Sequence, residues 1–232
     1  MKSLVIFDLN KTLINETSWY ELNIALGISP EEDELLYRLG PEGEGILTYR
    51  EWIAILKKIM VRRGKASREA IEKTVLDYTF ADGAEETVRS LRENGHTVAI
   101  VSGGFNMVVD DVAQKLGLEH GYNNTYFVFD NDDMLEDILL TWDDDRYKPL
   151  LVQSICRKFG IHPKDTYYVA DGANDSKIFE ETIGIAIDPK STHHEPWMQK
   201  ALNVGESFNS KKARGKAQFE ISNLRELLEI VR

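Results

Sequence analysis

The sequence is poor in cysteine and in positive charge, and it has no long apolar run. One cysteine, Cys156, among 232 residues excludes an internal disulfide and fits a reducing compartment. Lys and Arg number 28 against 39 Asp and Glu, which leaves a net charge of −11. Duplex nucleic acid and anionic membrane would be repelled by the average surface. An anionic substrate is not excluded, because Mg²⁺ and a lysine can reverse the sign locally. The longest apolar stretches are strand-sized, and no cleavable leader precedes the first of them. A soluble cytoplasmic protein is expected, with no nucleic-acid or membrane partner; oligomeric state is left open.

What is present is an alternation of short apolar strands and amphipathic helices, interrupted once. Residues 3–9 read as a buried strand, with Leu4-Val5-Ile6-Phe7 too short for a helix. A helical block follows without any strand signal. Ser18 with Glu21, Ser29 with Glu32 and Thr48 with Glu51 each fit a capping box. Ser67 suits the cap of a fourth helix reaching about Tyr78, and Gly27, Gly40 and Gly64 mark the turns. From Asp82 onward, helix and strand alternate. Helices are expected over 83–94, from Gly104 to about Leu116, and over 148–159, 176–182 and 224–231, with strands at 96–102, 167–170 and 183–187. A hairpin is expected between Tyr122–Phe129 and Leu135–Trp142, over the turn Asp130-Asn131-Asp132-Asp133. The fold expected is α/β, a three-layer core with a parallel sheet (residues 1–14 and 80–232), plus a small helical domain inserted after the first strand (residues 15–79).

Polar residues at the ends of three of these strands carry the chemistry. Ligands of such a sheet bind beyond the carboxyl ends of the strands. There the chain has Asp8, Asn10 and Thr12; Ser102-Gly103-Gly104; and Asp171-Gly172-Ala173-Asn174-Asp175, with Lys148 opening a helix near the same edge. Phosphoryl transfer needs a nucleophile, charge neutralisation and positioning. Asp8 is the expected nucleophile and forms an aspartyl-phosphate. Asp8, Asp171 and the backbone carbonyl of Asn10 are the expected Mg²⁺ ligands, oxygens of the kind this ion takes. The Ser102 hydroxyl and Gly103 N–H would donate to phosphate, and Lys148 would neutralise both nucleophile and phosphate. Asn174 and Asp175 would orient Lys148 and the metal's waters.

Asp8-x-x-x-Thr12, Val101-Ser102-Gly103-Gly104, Lys148 and Asp171-Gly172-x-Asn174-Asp175 together resemble the four motifs of the haloacid dehalogenase superfamily, and more narrowly its phosphoserine-phosphatase-like branch. The resemblance implies a Rossmann-like core, a mobile helical cap and a Mg²⁺-dependent phosphomonoesterase acting on a small phosphorylated metabolite. It also implies a catalytic set of Asp8, residue 10, Thr12, Ser102 and Lys148. Two departures stand out. In the family a second Asp protonates the leaving oxygen and later deprotonates water; here that position is Asn10, which cannot exchange a proton near neutral pH. The expectation is a chain that keeps the site and turns over slowly. The family's ammonium-holding Glu is displaced by one residue at Glu16, and the stretch matching its cap Arg reads Ile53-Ala54-Ile55-Leu56. Trp19 and Trp52, with Tyr20 and Tyr49, are expected instead as an apolar pocket wall or as cap core. Two other functions remain open from the residues: a non-catalytic binder of phosphate ligands, and a transferase to an alcohol acceptor.

The remaining polar clusters read as ordinary structure. Asp143-Asp144-Asp145 favours the next helix's N-terminus. Asp130-Asn131-Asp132-Asp133 lacks the glycine of a calcium loop. His193-His194 has no partner at ligand spacing. Cys156 sits on an apolar stripe as a buried thiol, and Lys211, Lys212, Arg214 and Lys216 read as a solvated loop.

Overall fold

The computed structural model describes residues 2–40, 45–64, 66–141, 147–171, 175–187 and 215–231. Among these, six parallel strands form one sheet in the order β3-β2-β1-β6-β7-β8. They are β1 (Leu4–Phe7), β2 (Thr97–Val101), β3 (Gly121–Tyr122), β6 (Thr166–Ala170), β7 (Ile183–Ile187) and β8 (Phe219–Ile221). β1 lies between β2 and β6, and all four of its residues are buried. That accounts for its unbroken apolar run: a central parallel strand is covered on both faces.

Alternation along the strands divides the core in two. Val5, Phe7, Val98, Ile100 and Val169 face one layer, which contains α5 (Ala84–Glu93), α6 (Asn106–Lys115) and the terminal α9 (Leu227–Ile230). Leu4, Ile6, Ala99, Val101, Tyr168 and Ala170 face the other, with α7 (Tyr147–Phe159) and α8 (Ser176–Glu181). Cys156 is buried there, its Sγ 3.3 Å from Thr166 Oγ1. Among the described residues no helix is long and apolar enough to cross a membrane.

Four helices follow β1: α1 (Ser18–Ala25), α2 (Pro30–Leu39), α3 (Tyr49–Arg62) and α4 (Arg68–Val75). The capping boxes of Ser29 with Glu32 and Thr48 with Glu51 are both formed, and the Ser67 hydroxyl accepts from Ala70 N–H. The box expected at Ser18 and Glu21 is not. Thr17 is the N-cap of α1 and makes no side-chain cap bond, while Ser18 is the first residue of the helix and its hydroxyl is taken by Asn10.

Two differences concern strands, the hairpin's bounds and an additional edge strand. Tyr122 belongs to β3 and pairs with Val101, so the hairpin is shorter, with β4 (Thr125–Phe129) and β5 (Leu135–Leu140). The bend Asn123-Asn124 separates the two elements, and a two-residue strand carries too little pattern to be told from its neighbour. β8 has no counterpart among the expected strands, since Phe219-Glu220-Ile221 has a single buried residue. The hairpin also lies apart from the main sheet. Its tip is bonded to the helical insert through Leu135 N–H to Ala66 O and Arg68 N–H to Asp133 O, both 2.8 Å. Trp142, Asp143-Asp144-Asp145, His193-His194, Lys211, Lys212 and Arg214 lie outside the described residues. Lys216 pairs with Glu180 at 2.6 Å.

Candidate active site

The crossover of the chain from the β3 side of the sheet to the β6 side leaves a crevice at the ends of β1 and β6. Asp8 follows β1 directly, and its N–H still bonds Val169 O of β6. Beyond Asp8 the chain turns tightly. Leu13 and Ile14 both donate to Leu9 O, and Lys11 takes a left-handed φ of 57°. A non-glycine residue held there is strained, a feature that clusters at functional turns. The turn buries Thr12, whose hydroxyl accepts the N–H of Asp171 at 3.1 Å. Thr12 therefore ties the end of β6 to the end of β1, a positioning contact.

Lys148, near the start of α7, reaches back into this crevice. Its Nζ lies 2.8 Å from Asp8 Oδ1 and 2.8 Å from Asp175 Oδ1. Asp175 also accepts from the buried Tyr168 hydroxyl at 2.8 Å. Burial works against the charge of Lys148, but the carboxylates of Asp175 and Asp8 outweigh it and hold the amine protonated. Burial raises Asp8 to about 6, with Lys148 partly opposing the rise. Asp171 is pushed well above the usual carboxylate range by burial, then by the charges of Asp8 and Asp175.

Ser102 directly follows β2 and is fully buried, and its hydroxyl accepts from Gly104 N–H at 3.0 Å, closing the turn toward α6. Thr125 fixes the same turn from the hairpin: its N–H donates to Gly104 O at 3.0 Å and its hydroxyl to Gly103 O at 3.2 Å. Nothing in the sequence distinguishes Thr125 from an ordinary strand residue.

Asn10 is held by the insert. Its Oδ1 accepts from Ser18 Oγ at 2.7 Å and from Ser18 N–H at 3.2 Å, at the first turn of α1. Its Nδ2 faces Gly104, where an added Cβ would sit 3.5 Å away. Glu16 does not point into this crevice as a free carboxylate. Both its oxygens accept from Thr79, from N–H at 2.9 Å and Oγ1 at 2.8 Å, beside the bonds of Asn15 to Thr79 and Phe80. It clasps the two chain segments that join insert and core. Trp19 packs edge-on against Phe105 at 4.4 Å and Trp52 at 5.0 Å, bringing the insert's aromatics onto the residue after Gly104. Asn174 lies outside the described residues.

Two carboxylates of this crevice are oxygen donors of the type a divalent cation takes. Asp8 and Asp171 bring two carboxylates to adjacent strand ends, and Asp175 adds a third negative charge beside Lys148. Among the described residues no three His, Cys, Asp or Glu side chains gather into a ready-made cage, so Asp8 and Asp171 would leave water and phosphate oxygens to complete such an ion's shell. Residues 5–180 match the haloacid dehalogenase-like hydrolase family.

The chain belongs to that family. It is similar to the phosphoserine phosphatase of Methanocaldococcus jannaschii, 31% identical over 187 residues that cover 78% of this chain and 82% of the relative. To the phosphoserine phosphatase of Archaeoglobus fulgidus it is 32% identical over 190 residues, 82% of this chain and 53% of the relative. A solved structure of a phospho-aspartyl intermediate analogue of phosphoserine phosphatase superposes with a TM-score of 0.74 at 26% identity, covering 100% of this chain and 99% of the other. A substrate-bound phosphoserine phosphatase gives 0.75 at 25% identity, with the same coverage. This hydrolase is thus a phosphatase of the phosphoserine-phosphatase-like kind, its Rossmann-like core carrying the helical cap between β1 and α5.

Proposed function

We propose that this hydrolase cleaves a small phosphomonoester through an aspartyl-phosphate on Asp8, with Mg²⁺ as cofactor, and that Asn10 makes it slow. The observation that supports this best is Lys148 Nζ within 2.8 Å of both Asp8 and Asp175 at the carboxyl edge of the sheet. An Asp8 oxygen attacks phosphorus, and Lys148 offsets the charge gathered there. The Gly103 N–H and Ser102 hydroxyl receive phosphate oxygens, and Asp175 keeps Lys148 in place. Asp8, Asp171 and the Asn10 carbonyl would hold Mg²⁺, which when bound supplies charge neutralisation for the phosphate oxygens and keeps both carboxylates ionised. The cap, residues 15–79, opens to admit substrate and closes to exclude water. The relatives' names support a phosphomonoester substrate. Phosphoserine itself is not proposed, because Glu16 is committed to Thr79 and no arginine is matched to the substrate carboxylate. Trp19 and Trp52 would form part of the cap's apolar wall.

Asn10→Asp tests this. Steady-state hydrolysis of alkyl phosphomonoesters should rise about 10²–10⁴-fold, the usual worth of general acid–base catalysis. Adding Asp8→Ala to that variant should abolish it, and chelation of Mg²⁺ should do the same. A restored variant no faster than the parent would refute the acid–base assignment. Full activity without Asp8 would refute the nucleophile.

A further inference from the structure

Asn10 does more than remove a proton donor, because its side chain is already engaged. Oδ1 accepts two hydrogen bonds from Ser18, and Nδ2 faces Gly104. A neutral amide so bound neither gives nor takes a proton near neutral pH. Among the described residues, the neighbouring hydroxyl and amine groups are engaged elsewhere. The Ser102 hydroxyl accepts from Gly104, the Thr12 hydroxyl accepts from Asp171, and the Tyr168 hydroxyl donates to Asp175. Lys148 is shared between Asp8 and Asp175, and Glu16 is taken by Thr79. The described histidines, His96, His120 and His162, lie just before β2, β3 and β6, at the opposite, amino edge of the sheet.

The two half-reactions feel this loss differently. In the first, an Asp8 oxygen bonds to phosphorus while the bond from phosphorus to the leaving oxygen breaks, and the leaving group keeps the electron pair. An alkyl ester would depart as an alkoxide, which needs a proton at once. A carboxylate from an acyl phosphate, or the phenolate of an acidic phenol, departs without one. In the second, a water oxygen attacks phosphorus, the phosphorus–Asp8 bond breaks and returns its pair to the carboxylate, and the water's proton passes to solvent. That water has no base at residue 10 to activate it, whichever donor supplied the phosphoryl group.

Building on the aspartyl-phosphate reaction proposed above, we propose that this site takes phosphoryl donors whose leaving groups depart unprotonated, acyl phosphates and activated aryl phosphates, and stores the phosphoryl group on Asp8. Slow release follows from the same residue that selects the donor. The stored group is available to any acceptor better than water that enters beneath the cap.

The test uses the intact chain with Mg²⁺ and three donors: acetyl phosphate, 4-nitrophenyl phosphate and glycerol phosphate. Quenched samples are weighed by intact mass spectrometry and treated with hydroxylamine, which cleaves acyl phosphates. The first two donors should label the protein stoichiometrically with one hydroxylamine-labile phosphoryl group, with a single-turnover burst of nitrophenolate; glycerol phosphate should give neither. Asn10→Asp should speed glycerol phosphate cleavage about 10²–10⁴-fold, far more than it speeds the nitrophenolate burst, and should end accumulation of the label. A parent chain that cleaves glycerol phosphate as fast as 4-nitrophenyl phosphate overturns the proposal, as does an equal gain on all donors. If Asn10→Asp turns over phosphomonoesters but the parent is never labelled, the hydrolase reading stands and this one falls. Labelling that survives Asp8→Asn would overturn both.

Discussion

At the scale of single residues, burial decides which carboxylates behave unusually, and not all of them belong to the phosphate site. Asp33 lies in the first turn of α2 yet is buried against Asn23, whose Nδ2 donates to it at 2.7 Å. Burial raises it from an ordinary value near 3.8 to about 6, with the Asn23 bond opposing the rise. A carboxyl with a folded pKa above its unfolded one binds its proton more tightly when folded. Its contribution to stability is full below about pH 4 and is lost as pH rises through 6. The loss is on the order of 3 kcal/mol. Asp33→Asn should remove that pH dependence, so its unfolding free energy should fall less between pH 4 and 7 than the parent's. Parallel curves for the two proteins would show that Asp33 ionises without penalty. The sequence hides this residue, because an acid at a helix start reads as a solvated partner of the dipole. It displays Asp8 and Asp171 clearly, since a charge at the tip of a buried apolar strand is costly unless chemistry employs it. Ser18 misleads in the opposite way: its local capping pattern competes with a partner eight residues away, and the distant partner wins.

At the scale of elements, legibility follows the range of the interactions. Helices α2, α3 and α4 are readable because Ser29, Thr48 and Ser67 each cap within three residues of themselves. The central strands are readable because burial on both faces leaves an unbroken apolar run. β3 and β8 are not: two or three residues at a sheet edge carry little pattern. The joint between core and cap is also hidden, since it depends on residues 16 and 79 meeting. Glu16 there bonds the Thr79 N–H and hydroxyl. If that is its whole role, Glu16→Ala in the Asn10→Asp background should lower stability by about 1–2 kcal/mol in urea unfolding. It should also leave unchanged the preference between O-phosphoserine and its deaminated analogue. A selective loss of activity on the aminated substrate would assign Glu16 to recognition of the ammonium.

At the scale of the whole molecule, a chain of net charge −11 concentrates Asp8, Asp171 and Asp175 in one crevice with Lys148. Mg²⁺ at about 100 times its Kd should add about 2.7 kcal/mol to the unfolding free energy, seen as a higher melting temperature. Asp171→Asn should remove most of that gain, whereas an equal rise in both proteins would mean that the ion binds elsewhere. The hairpin gives the molecule a further property. One end of it is bonded to Ala66 and Arg68 of the cap, and at the other Thr125 grips the carbonyls of Gly103 and Gly104. The cap is therefore not a lid on a single pivot. Any swing of the helices would pull, through two short strands, on the peptide groups of Gly103 and Gly104, so that movement of the cap and the shape of that turn would be geared together.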